Sequence, residues 1–137
     1  MAFEFGSKTN WYDQYFEKGI TIPSSASDTC ENPLSVGKTG NALVVRVTAA
    51  TAVSIPAGKI VTFNPLFCAT SDGTFAAPSP AYAVSITNSG ASAAAYAAGD
   101  EVCSFILPDG EEYAKIKITT DGACTGTLDV ALSYTAR

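Results

Sequence analysis

The acidic residues are the first place to look for chemistry. Asp100-Glu101 and Glu111-Glu112 stand as neighbouring pairs in a chain of 137 residues. Two carboxylates facing each other across a pocket would do glycosidase work, one as acid and the other as base or nucleophile. Adjacent residues on a strand point to opposite faces, however. Both pairs also flank turn signals, where acidic residues are ordinary solvated punctuation. Asp72, Asp109 and Asp121 each precede glycine, in SDG, PDG and TDG. Loop carboxylates are calcium ligands, but here there is one per loop, and Asp-Gly forms turns without any metal. GKTG at 37–40 lacks the spaced glycine of a phosphate loop and precedes a strand pattern, not a helix. Histidine is absent. That removes the commonest general base and with it the Ser-His-Asp and Cys-His arrangements. Neither an enzyme nor a bound cofactor is expected.

Cysteines stand at 30, 68, 103 and 124. No CxxC spacing occurs, so a zinc site has no ligand set. Two disulfides in three pairings are arithmetically open. The start, MAFEFGSKTNW, has no positive region followed by an apolar stretch. A reducing cytoplasm and free thiols, behaving as small hydrophobes, are therefore expected. No run approaches the ~20 apolar residues that cross a bilayer. The net charge is −5 with no cluster of Lys or Arg, so neither a nucleic-acid nor a membrane partner is expected.

The elements that must carry these residues are β-strands from Asn41 onward. ALVVRVTA sets Leu43, Val45 and Val47 against Val44, Arg46 and Thr48, one face apolar and the other mixed. AVSI follows and stops at Pro56-Ala57-Gly58. In KIVTFNPLFCA, Val61, Phe63 and Pro65 oppose Ile60, Thr62 and Asn64, and Pro65 predicts a bulge or an edge position. AYAVSIT, EVCSFIL, YAKIKITT and TLDVALSYTA complete the set, separated by SDGTF, NSG, PDGEE and DGACTG. GASAAAYAAGD reads as a loop or one helical turn. Seven or eight short strands with such punctuation predict an all-β sandwich or barrel. A jelly roll is preferred, with an immunoglobulin-like sandwich as the alternative; the latter wants a Cys…Trp…Cys pattern, and Trp11 is the single Trp.

Residues 1–40 differ. Six of the fourteen aromatics fall in the first sixteen positions: Phe3, Phe5, Trp11, Tyr12, Tyr15 and Phe16. TNWYDQYFEKG fits a short helix capped by Asn10 and stopped by Gly19, with Trp11/Tyr15 and Tyr12/Phe16 paired at i,i+4. The turn-rich stretch that follows, to Gly40, reads as an extended arm or loop outside the core. The division is thus an N-terminal arm, 1–40, and a sandwich, 41–137. Charge is scarce: 15% of residues overall, and from Ile60 to Gly99 only Asp72. Charge keeps proteins soluble and apart, so this composition suits a chain packed against others. Trp and Tyr anchor interfaces at low entropic cost. The six aromatics are accordingly candidate interface residues, either in an arm reaching another subunit or in a cap over an open end of the same sandwich.

The last hundred residues also resemble a family. ATSDGTF (69–75), AAGDEV (97–102), LPDGEEYAKIKIT (107–119) and GACTGTLDVAL (122–132) occur in the order and spacing of the jelly-roll capsid cement proteins of tailed bacteriophages, of the Bordetella-phage type. The resemblance spans roughly 40–135 and leaves out the aromatic start. It implies a structural virion protein of about eight strands, made in the bacterial host cytoplasm. Such a protein binds the outer surface of the capsid and stabilises contacts between major capsid protein subunits. A homo-oligomer, dimer or trimer, is expected there. The other class to weigh is a tail or fibre adaptor or a carbohydrate-binding jelly roll, whose aromatics would be Tyr82, Tyr96 and Tyr113 on one sheet face.

Overall fold

The computed structural model describes residues 8–36, 43–78, 82–108 and 110–135, with backbone alone for 8–14 and 133–135. Eleven strands follow in chain order: β1 (Lys8–Thr21), β2 (Ser27–Thr29), β3 (Leu34–Ser35), β4 (Leu43–Ala49), β5 (Val53–Ile55), β6 (Ile60–Cys68), β7 (Val84–Thr87), β8 (Ala94–Tyr96), β9 (Glu101–Ile106), β10 (Tyr113–Thr120) and β11 (Thr127–Thr135). All pairings are antiparallel. One sheet runs β1-β11-β4-β9. The second runs β2-β10-β6-β7, with β3 beside β2 on the same flank of β10, and β5 and β8 form a separate ribbon.

The period-2 patterns explain the layering. β4 alternates buried and half-buried residues throughout, as do β6 and β10. Val45 and Val47 of β4 and Leu128, Val130 and Leu132 of β11 point inward from one sheet. Val61 and Phe63 of β6 and Ala114, Ile116 and Ile118 of β10 point inward from the other, and all join one apolar core. Phe63 and Phe105 meet across it with ring centroids 6.4 Å apart. Burying each large side chain contributes about 1.5–3 kcal/mol, which makes this β-sandwich core the main source of stability.

Pro65 sits opposite Ile116 without a bulge. The ladder between β6 and β7 ends at Phe63↔Val84, and Phe67 next bridges Ala76. The nitrogen of Pro65 faces the gap between these two contacts, so its missing N–H removes no ladder bond. β6 is an interior strand, so the proline is accommodated at a local gap in the β7-side pairing and not at the bulge or sheet edge expected from the sequence.

Three further expectations are corrected. The predicted short helix at 10–18 is part of β1, which pairs with β11 from Lys8↔Thr135 to Thr21↔Thr127. Three register shifts interrupt that pairing, and such bulges blur the period-2 signal a strand would otherwise show. The stretch taken as an arm or loop outside the core supplies β2 and β3 and buries Ile22, Cys30 and Val36. GASAAAYAAGD contains β8, paired with β5 through Val53↔Tyr96.

Candidate functional site

The six aromatics proposed for an interface divide. Phe3 and Phe5 lie outside the described residues. Trp11 and Tyr12 lie within β1, whose backbone alone is described there. Tyr15 and Phe16 point to opposite faces, as neighbours on a strand must. Phe16 is 0% exposed and belongs to the core of its own chain, so an outward anchoring role does not fit it. Tyr15 is half-buried on the outer face, with the Lys18 ammonium 4.9 Å from its ring centroid. Its register partner is Ala131, which in turn pairs Arg46, which pairs Ser104. The outer face of this sheet therefore carries one row of Tyr15, Ala131, Arg46 and Ser104. Arg46 is fixed there by Glu101, with Nε 2.8 Å from Oε1.

β1 is also tied to the second sheet. The Asn32 N–H donates to the Phe16 carbonyl at 3.1 Å, and the Glu31 N–H donates to Glu17 Oε1 at 3.1 Å. Gly19 takes φ +73° and donates its N–H to Asp129 Oδ1 at 2.8 Å. A left-handed φ is where glycine costs least, so the residue read as a helix stop serves a bulge instead. Burial raises the Glu17 carboxyl above its ordinary value; the Glu31 N–H opposes this, and the charges of Glu31 and Asp28 add to it.

Asp100, Glu112 and Asp121 among the acidic candidates are held in local structure. Asp100 Oδ2 accepts from the Ala97 N–H at 2.9 Å and closes the turn before β9. Glu112 Oε2 accepts from the Ser35 hydroxyl at 2.7 Å. Asp121 Oδ1 accepts from the Ile60 N–H at 2.6 Å. Asp109 lies outside the described residues. Among the described residues no three His, Cys, Asp or Glu come together as a metal-binding group. All four cysteines are free thiols. Burial first, then the charges of Glu17 and Asp28, push the Cys30 thiol up to about 12. Burial likewise raises Cys103 and Cys124. Thiolates are the reactive form, so these three sites are chemically quiet.

The three tyrosines weighed for glycan stacking do not share a face. Tyr82 donates its hydroxyl to the Ile106 carbonyl at 3.1 Å and packs on Phe105, centroids 6.4 Å apart. Tyr96 packs against the core from β8. Tyr113 alone lies on the outer face of the second sheet, beside Lys115 and Lys117.

Two features were missed in the sequence. Asn88 is a hub: its amide Nδ2 donates towards the carbonyls of Ile55 (3.0 Å), Pro56 (3.2 Å) and Ser92 (3.0 Å), while Oδ1 accepts from the Gly90 N–H at 3.1 Å. Nothing in NSG marks it beyond a turn. Ile106, on β9, is 61% exposed. The uncharged run VCSFI was its signal.

The fold and the surface together define a two-sheet antiparallel β-protein whose outer residues are largely hydroxyl, amide and small apolar groups. No protein-family model, no curated protein and no solved structure matches the chain.

Proposed function

We propose that this chain is a jelly-roll cement protein of a tailed-phage capsid. It binds the outer surface of the shell and strengthens contacts between major capsid protein subunits. The observation that carries the reading is the nesting of strand pairs. With the β5–β8 ribbon set aside and β2 and β3 counted together, eight strands remain. First pairs last (β1·β11), second pairs seventh (β2/β3·β10), third pairs sixth (β4·β9) and fourth pairs fifth (β6·β7). That nesting supports a reading as one long antiparallel hairpin rolled into two sheets, the arrangement expected of a jelly roll. The resemblance of 69–75, 97–102, 107–119 and 122–132 to the cement family implies the same fold, and the strand order supports it independently of those motifs.

The chemistry of the surface supports a structural role. Each carboxylate pair weighed for catalysis has a member in a turn or a side-chain bond, and the scarce charge suits lasting contact with protein. The reading places the chain on the virion, after synthesis in the host cytoplasm. In place of a separate arm over 1–40, β1 joins the sandwich, so a capsid contact at this end is made by the outer face around Tyr15 and not by Phe16. The test is cosedimentation of the purified chain with expanded phage shells stripped of accessory proteins. Saturable binding at a fixed ratio to the major capsid protein is expected. A chain that stays in the supernatant while titrating a sugar would instead be a glycan-binding module.

A further inference from the structure

We propose that the outer face of the second sheet binds a carboxylated polysaccharide. The inference does not depend on the capsid reading, which uses the outer face of the first sheet. β10 alternates, and its outward residues are Tyr113, Lys115, Lys117 and Thr119. The ladder with β6 sets Leu66 beside Lys115 and Asn64 beside Lys117, and the ladder with β2 sets Thr29 on the other side of Lys117. The next outward row is hydroxyl throughout, from Ser27 through Thr119 and Thr62 to Ser85. No carboxylate stands in these rows. Glu112 lies just before Tyr113, where the Ser35 hydroxyl holds it at 2.7 Å. Among the described residues neither Lys115 nor Lys117 has an ion-pair partner. Arg46, on the other sheet, is neutralised by Glu101 at 2.8 Å. A chain of net charge −5 thus keeps the ammonium groups of Lys115 and Lys117 uncompensated on one face.

The residue types select the ligand. Cations on alternate residues of a strand stand about 7 Å apart, which suits acidic groups repeated along a chain. Hydrogen bonds from ammonium to carboxylate are stronger than neutral ones. Aromatic rings flank these cations. The Lys115 ammonium is 5.0 Å from the Phe75 ring centroid, and Tyr113 precedes Lys115 on the same face. A ring presents an apolar body to the C–H groups of a sugar, and tyrosine adds a polar tip. The side chains of Thr29, Asn64, Thr62 and Thr119 can each donate and accept, as sugar hydroxyls do. A protein partner would instead want a centre depleted of charge, and this face has its lysines at the centre. Screening over about 8 Å at physiological salt lets the local face, and not the net charge, govern the contact.

Isothermal titration of the intact chain with hexamers of galacturonate, mannuronate and glucuronate tests the proposal, with their methyl esters and hexaglutamate as controls. At least one acid hexamer should bind, roughly tenfold or more tighter than its uncharged ester and than hexaglutamate, and rising salt should weaken it. Lys115→Gln and Lys117→Gln remove charge from the outer face and leave the core side of β10 untouched. Together they should weaken binding roughly tenfold or more while circular dichroism remains that of the wild type. Lys18→Gln, on the first sheet, should leave the affinity unchanged. Silence from all the acid hexamers overturns the proposal. So does hexaglutamate binding as tightly as the sugars, which would make the face a contact for acidic protein, and so does a double variant that binds like the wild type.

Discussion

Replacing Phe16 by Ala tests whether the aromatic start is part of the sandwich. Phe16 is fully buried among core residues of both sheets, and its carbonyl accepts the Asn32 N–H. Truncating a buried Phe costs about 3–5 kcal/mol, from lost transfer energy and the cavity left behind. Unfolding entropy near ~2.1 cal/mol/K per residue gives roughly 0.29 kcal/mol/K for 137 residues. The Tm should therefore fall by about 10–17 °C. Tyr15→Ala is the control from the same strand. Its ring is half-buried and meets Lys18 on the outer face, so its loss should cost about 1 kcal/mol or less. Calorimetry and urea titration of the isolated subunit measure both. If Phe16→Ala melts within a few degrees of the wild type, or Tyr15→Ala costs as much, the placement of β1 in the core is wrong.

Asn88→Asp should destabilise more than Asn88→Ala. The alanine removes the Asn88 donor from the carbonyls of Ile55, Pro56 and Ser92, of which Pro56 keeps the Lys59 N–H, at about 1–3 kcal/mol; the carboxylate adds repulsion, and urea melts at neutral and acidic pH should show the aspartate partly rescued on protonation. Glu17→Gln keeps an oxygen for the Glu31 N–H and removes the charge. Because burial raises the Glu17 carboxyl above 4.5, the folded chain holds that proton more tightly than the unfolded one. The stability this contributes is complete below 4.5 and is lost as pH rises through the raised value. In paired thermal melts the variant should be the more stable near neutrality, with the gap closing on acidification. Gly126 has φ +109°, and a Cβ there would run into the Ala52 carbonyl and meet Val53 Cα at 2.8 Å. Gly126→Ala should therefore cost more than about 2 kcal/mol, and a wild-type denaturation midpoint would contradict the geometry.

The strands with clean alternation were legible. β4 and β10 show the pattern in the letters and in the burial alike. β1 was not legible, for a physical reason. Aromatics at 11, 12, 15 and 16 fit helical spacing, and the strand they form is bulged between Asn10 and Tyr15, between Tyr15 and Glu17, and between Glu17 and Ile20. Gly19 is equally suited to ending a helix and to a left-handed bulge. β8 is Ala-Ala-Tyr; alanine carries little strand signal, and its pairing with β5 is a tertiary fact. The bland reading of the acidic pairs as turn chemistry was available from their flanks, and Asp100 bears it out.

The most direct test of the cement reading is the thermal stability of the shell itself. Expanded capsids stripped of accessory proteins would be melted with and without the purified chain at saturating concentration. Binding to the assembled shell and not to its dissociated subunits must raise the melting temperature in proportion to occupancy. The account predicts that rise, together with a fixed ratio of chain to major capsid protein. Shells that melt at the same temperature with the chain present, whether bound or unbound, would contradict it.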